Sequence, residues 1–171
     1  MLHGIIKQII ARGKSMPEFL DYLTTFLWSM VPVVELRGAI PWGAAHGLAW
    51  YTNYALCVLG NLLPIPFILL FIRAILGWMK GVPKLAKIAL WLEAKAEKKS
   101  DRVNRFAALG LFLFVAVPLP GTGAWTGALV AALMEMRIRN SLLSILAGVL
   151  VAGLIMTGIS YGFIGFLDFL K

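Results

Sequence analysis

Two residues that could do chemistry stand inside an apolar stretch, VPVVELRGAIPWGAAHGL over Val31–Leu48: Glu35 and Arg37, with Pro32 before them and Pro41 after. At membrane depth an ionisable group costs several kcal/mol unless it is paired, buried in protein or wetted, so such a pair is read first as a functional site. The guanidinium of Arg37 suits a phosphate or carboxylate. The carboxylate of Glu35 suits gating, or exchange of a proton during transport. Pro32, Pro41 and the neighbouring Gly38 and Gly43 predict a broken backbone rather than a smooth helix. A break there frees N–H donors where residues 39–50 begin, and a helix N-terminus beside an arginine is an anion site. The competing structural reading is an ion pair that only locks the break.

A second stretch, VPLPGTGAWTGAL over Val117–Leu129, repeats the punctuation without the charges. Val31-Pro32 matches Val117-Pro118 at an offset of 86 residues, and Gly38-Ala39 matches Gly123-Ala124 at 85. Pro118, Pro120 and Gly121 make the break, the hydroxyls of Thr122 and Thr126 offer hydrogen bonds, and Gly123 lets backbone approach closely beside Trp125. Together the two tips are expected to form one asymmetric site, with cation and carboxylate from one and amides and hydroxyls from the other. Asn61, near the middle of the following apolar run, is expected to line the same cavity with the carbonyls that Pro64 leaves unpaired. For the second tip the structural alternative is a tightly packed Gly/Pro turn, and for Asn61 a kink that only shapes packing.

Other chemistry finds little support. Cys57 is the single cysteine, so no disulfide framework or thiolate metal site is expected, and its simplest role is a small buried apolar residue. His3 and His46 stand apart with no ligand spacing around them, so no metal is expected. Ser29, Ser100, Ser141, Ser144 and Ser160 have no histidine nearby in sequence and read as packing or cap residues. No nucleophile–base pair and no phosphate-binding loop is present, so neither an enzyme nor a cofactor is expected, apart from coupling to protons. The net charge of +8 flanks apolar segments, which points to topology and anionic lipid rather than to nucleic acid.

The elements that must position these residues follow from composition. Of 171 residues 60% are hydrophobic and 14% charged, the balance of an all-α integral membrane protein. Residues 1–17 set Ile5, Ile6, Ile9 and Ile10 at helical spacing with Lys7, Arg12 and Lys14 off that stripe, predicting an amphipathic helix on the membrane surface. The run from Phe19 to Val34 would reach only ~24 Å against a ~30 Å hydrocarbon core. It is therefore read as entering, stopping, and returning through 39–50 as a re-entrant hairpin. A kinked span over 51–72 completes a first repeat, 18–72.

Residues 73–105 form a basic amphipathic linker with nine Lys/Arg and three acidic residues. A second repeat, 106–167, has a hairpin over 106–136 and a span over 141–167 whose Gly158 and Gly162 could pack against this chain or a second copy. Counting positive charges puts the linker, with Arg137 and Arg139, in the cytoplasm and both termini outside. The hairpins then enter from opposite faces as inverted repeats whose tips meet near the midplane. One membrane domain and, from its small size, a homodimer are expected.

ELRGAIP with the following Gly43–Gly47 spacing, and PLPGTGAWTGAL later, resemble the two signature segments of the small multidrug export protein family. The resemblance covers essentially the whole chain. That family resembles in turn the DedA/VTT superfamily, whose re-entrant hairpins are associated with lipid scrambling and translocation of undecaprenyl phosphate. The wider resemblance implies a lipid-phosphate translocase of the cytoplasmic membrane and the narrower one drug export. The second tip has no arginine where DedA proteins generally carry one, so only Glu35, Arg37 and the Pro/Gly breaks carry over. Three readings result: a flippase for an anionic lipid such as a polyprenyl phosphate, an exporter of hydrophobic cations, and a structural membrane protein.

Overall fold

The computed structural model describes residues 19–81, 101–119 and 121–169. The surface helix expected over 1–17, residues 82–100 of the linker, and Pro120 lie outside them. The described residues form helices with no strand among them: α1 Phe19–Met30, α2 Glu35–Ala45, α3 Trp50–Leu62, α4 Ile65–Lys80, α5 Asp101–Ala116, α6 Ala124–Leu133 and α7 Ile138–Phe169. Both described ends of the linker are helical, as the last turns of α4 and the start of α5, so the second hairpin's first helix starts before Phe106.

The chain divides into two compact units, one of described residues up to Asn61 with those from Gly153 onward, the other Leu62–Ala152. The first holds α1, α2, nearly all of α3 and the second half of α7. The second holds α4, α5, α6 and the first half of α7.

In the first unit α1 stops at Met30 because Val31 precedes Pro32, a position disfavoured in a helix. Only four residues separate it from the next helix. Pro41 does not break it: α2 runs through Pro41 unbroken, which corrects the expectation of a second break there. The proline removes one backbone bond, to the carbonyl of Arg37, while Leu36, Ala39, Ile40, Gly43 and Ala44 hold one buried stripe along the helix. α2 packs against α1, and burial of a whole face outweighs one lost bond.

The second unit repeats this stripe 88 residues later. Ala124, Gly127, Ala128, Ala131 and Ala132 are the buried residues of α6, and α6 packs on α4 and α5. The helix ends match at the same offset. In α2 the N–H groups of Gly47 and Leu48 donate to the carbonyls of Ala44 and Gly43 at 3.1 and 3.0 Å. In α6 those of Glu135 and Met136 donate to Ala132 and Ala131 at 3.1 and 3.0 Å. Both are Schellman-type ends, with Gly47 at φ 78° and Glu135 at φ 50°. Before the tips the offset is 86, as expected, since α1 ends at Met30 and α5 at Ala116. After them it is 88, so the match of Gly38-Ala39 with Gly123-Ala124 was one of residue type and not of register. The second tip is two residues longer.

Two stretches are long and apolar enough to cross a bilayer, Trp50–Met79 and Ile138–Gly165, each with mean hydropathy 2.4 and only a third of it buried in protein. The first is interrupted at Leu63–Pro64 between α3 and α4, the kink expected from Pro64 and Pro66. Outward side chains such as Phe19, Phe67, Trp78 and Phe106 are each more than two-thirds exposed, a surface made for lipid rather than water. The protein is an all-helical membrane protein.

Candidate functional site

At the first tip the backbone is wound tightly enough to set the acid and the base together. The Glu35 N–H donates to Val31 O at 2.9 Å and the Gly38 N–H to Val34 O at 3.0 Å. Glu35 opens α2 with φ at 49°, a left-handed conformation that costs a residue with a Cβ roughly 1–2 kcal/mol. Strain of that kind persists where surrounding structure holds it, and it recurs at functional positions. Arg37 Nη1 donates to Glu35 Oε2 at 3.5 Å, with the guanidinium side chain 18% exposed and the carboxylate 5%. The pair foreseen from sequence is formed, and its cation is the more accessible member. A methyl group on Gly38 would come 2.5 Å from Val34 Cγ1, so the valine side chain would have to turn aside to admit it.

Behind the tip a polar clamp holds α2 in place. Asn53 Nδ2 donates to Ile40 O at 2.8 Å and to Tyr161 Oη at 3.0 Å, while the Tyr161 hydroxyl donates to Leu48 O at 2.7 Å. The Cys57 thiol donates to Asn53 Oδ1 at 3.4 Å, in keeping with its expected place as a small buried residue. Gly43 admits the Asn53 amide, for a methyl group there would lie 2.7 Å from its Cγ. The clamp joins α2, α3 and the second half of α7, and the sequence reading missed both Asn53 and Tyr161. Their signal was a polar residue at every fourth place along α3, Asn53, Cys57 and Asn61, all fully or almost fully buried. Trp28 stacks on Trp42 at 4.7 Å and Trp42 on His46 at 4.1 Å, and His46 Nδ1 lies 2.9 Å from Trp42 O. His46 thus belongs to the helix end and not to a metal cluster. Among the described residues no group of acidic, histidine and cysteine side chains is placed to hold a metal ion.

Asn61 is 1% exposed, and neither its Oδ1 nor its Nδ2 has a hydrogen-bond partner. A buried amide left so in a protein asks for an explanation.

The second tip uses its polar groups differently from the expectation. Thr122 Oγ1 lies 2.9 Å from the carbonyl oxygens of both Val117 and Leu119, and its one proton serves either. Thr126 Oγ1 donates to Gly123 O at 3.3 Å. Both hydroxyls cap the tip's own backbone, the usual competition offered by short polar side chains. Gly121 at φ 80° and Gly123 at φ 147° make the turn after Pro118. Trp125, in the first turn of α6, joins Phe67, Ile68, Leu70, Phe71 and Ala74 of α4 around a cavity of 610 Å³. The charged tip belongs to one unit and the Thr/Gly tip to the other, each held by its own contacts.

Comparison with known proteins adds one match. A family model described as "Putative small multi-drug export protein" matches residues 35–155, from Glu35 to the middle of α7. No curated protein and no solved structure matches the chain.

Proposed function

The chain belongs to the small multi-drug export protein family, matched over more than two thirds of its length, and from that membership we propose that it carries an amphiphilic substrate across the membrane at the Glu35–Arg37 tip. Family and apolar spans together support membrane transport. The substrate class we infer is an anionic lipid such as a polyprenyl phosphate. One observation carries this reading: a buried ion pair on a strained helix start whose more exposed member is the guanidinium. An incoming phosphate would compete with Glu35 for Arg37, and the displaced carboxylate would be free to take up a proton, which couples binding to proton uptake and release to deprotonation. In this reading the protein lies in the cytoplasmic membrane, and Thr122, Gly123, Trp125 and Thr126 handle the substrate at their own tip.

The export of hydrophobic cations is the second reading, favoured by the family's description. There Glu35 takes the substrate and Arg37 holds the empty site neutral.

Reconstituted liposomes separate the two. Transbilayer movement of a polyprenyl phosphate and efflux of a cationic dye are measured for wild type, Glu35→Gln and Arg37→Ala. The anionic reading expects Arg37→Ala to slow the lipid tenfold or more, equivalent to about 1.4 kcal/mol, with dye efflux absent throughout. Dye efflux abolished by Glu35→Gln would establish the second reading. Folded variants that match wild type on both cargos would leave the pair a purely structural lock.

A further inference from the structure

The contact between α1 and α3 in the first unit brings the Phe26 carbonyl and the Ser29 hydroxyl against Gly60. A methyl group added to Gly60 would lie 2.7 Å from the carbonyl oxygen of Phe26, so α3 rests on the last turns of α1 almost backbone to backbone. Ser29 also lines the contact; its hydroxyl donates to Phe26 O at 2.6 Å, which leaves its lone pairs to accept. Next along the chain is Asn61, buried, with both amide atoms unpartnered. Pro64 has no N–H, so the Gly60 carbonyl lacks the bond it would receive inside a continuous helix.

The same packing occurs a second time in this molecule without that polarity. A methyl group on Gly148 would meet Phe112 O at 3.0 Å and Val115 Cβ at 2.7 Å. Valine stands at 115 where the first copy has Ser29, and at 149 where it has Asn61. Close approach of the two helices therefore does not require the serine or the asparagine. A second difference has the same sense. Both α1 and α3 end at this contact, at Met30 and Leu62, whereas α7 continues unbroken to Phe169. Two helix C-termini, each equivalent to about half a negative charge, meet only in the first copy. The Glu35–Arg37 pair is neutral overall and does not offset them.

We propose that this contact binds a monovalent metal cation, held by Asn61 Oδ1, Ser29 Oγ and the carbonyls of Phe26 and Gly60. Neutral oxygens without a carboxylate suit Na+ or K+ rather than a divalent ion, which favours charged ligands. Unwound carbonyls and half-helix C-terminal ends are a recurrent way for membrane transporters to hold a coupling cation. Asn61, expected from sequence to line the substrate cavity, would hold an ion instead.

The proposal does not depend on the cargo and is tested at equilibrium. Thermal unfolding of the full chain in nanodiscs is followed in NaCl, KCl and choline chloride at equal ionic strength. In wild type one of the two metal salts is expected to raise Tm progressively with concentration, as mass action requires, and choline is not. Asn61→Val and Ser29→Val install the residues of the second copy, and each is expected to abolish the difference between the metal salt and choline. Asn61→Asp is expected to enlarge it. Equal Tm in all three salts for wild type would overturn the site, since a buried water would then satisfy Asn61. A folded Asn61→Val and Ser29→Val that both keep the wild-type salt response would overturn it as well. Should one valine variant not fold, the other and the wild-type comparison still decide. A flat response here leaves the Glu35–Arg37 reading to its liposome assay, and failure of that assay leaves this one standing.

Discussion

Glu35 carries two burdens at once, a left-handed backbone and a buried charge. The two separate by substitution. Glu35→Gly removes both the strain and the carboxylate, whereas Glu35→Gln removes only the charge. Glycine tolerates φ near 50° without the Cβ penalty, so the glycine variant is expected to be about 1 kcal/mol more stable than the glutamine variant. Chemical unfolding of the two proteins in the same detergent measures the difference. Equal stability would mean that the tip relaxes and stores no strain. Both variants lose the pair and are expected to fail alike in transport.

Asn53 is a residue whose importance lies in how many neighbours it ties together. Its amide donors are both engaged, and Tyr161 passes the connection on to Leu48. Asn53→Ala leaves Ile40 O without that donor and opens space beside Gly43, for an expected loss of about 2 kcal/mol. Tyr161→Phe keeps the ring but removes both the donor to Leu48 O and the acceptor of the Asn53 amide, for about 1–2 kcal/mol. Unfolding curves for the two single variants and the double variant should show less than the sum, because both act on one network.

Between elements, glycine decides where helices touch. Gly60 and Gly148 face backbone carbonyls at 2.7 and 3.0 Å, too close for a methyl group, and carbonyls cannot swing aside. Alanine at either is expected to cost roughly 1–3 kcal/mol. A methyl group on Gly158 or Gly162 would meet nothing within 4 Å among the described residues. Alanine there is expected to leave the monomer as stable as wild type or slightly more so, because alanine favours the helix. Thermal unfolding of the four alanine variants tests the contrast. The other role expected for Gly158 and Gly162, contact with a second copy, is a separate question. Sedimentation in detergent of Gly158→Leu bears on this: an unchanged mass would exclude that face from any dimer.

For the whole molecule, each unit carries one hairpin, one glycine-on-carbonyl contact and one Schellman-type helix end, yet of the two tips only the first carries an acid and a base. Exchange of Ser29 and Asn61 for valine makes the units more alike at the α1–α3 contact, and the ion dependence of stability is expected to disappear with the difference.

Much of this was legible from residue order. Apolar run lengths, the Pro32 and Pro118 stops, the Pro64 break, the Glu35–Arg37 spacing and the family's signature segments all depend on local chemistry, and a linear sequence displays local chemistry directly. Pro41 misled because a proline's effect on a helix depends on what the rest of the helix packs against, and the buried stripe of α2 is a tertiary fact. The offset of 88 was hidden for a related reason: glycine and alanine recur too often in this chain for residue type to fix the register, while buried faces and helix ends do. Asn53, Tyr161 and the place of Asn61 emerged only in three dimensions, since a hydrogen bond spanning more than a hundred residues, or a missing one, leaves no mark on neighbouring positions. Sequence alone thus determined the membrane class, the breaks and the charged pair, and tertiary packing decided which polar groups are satisfied and which are left to bind something else.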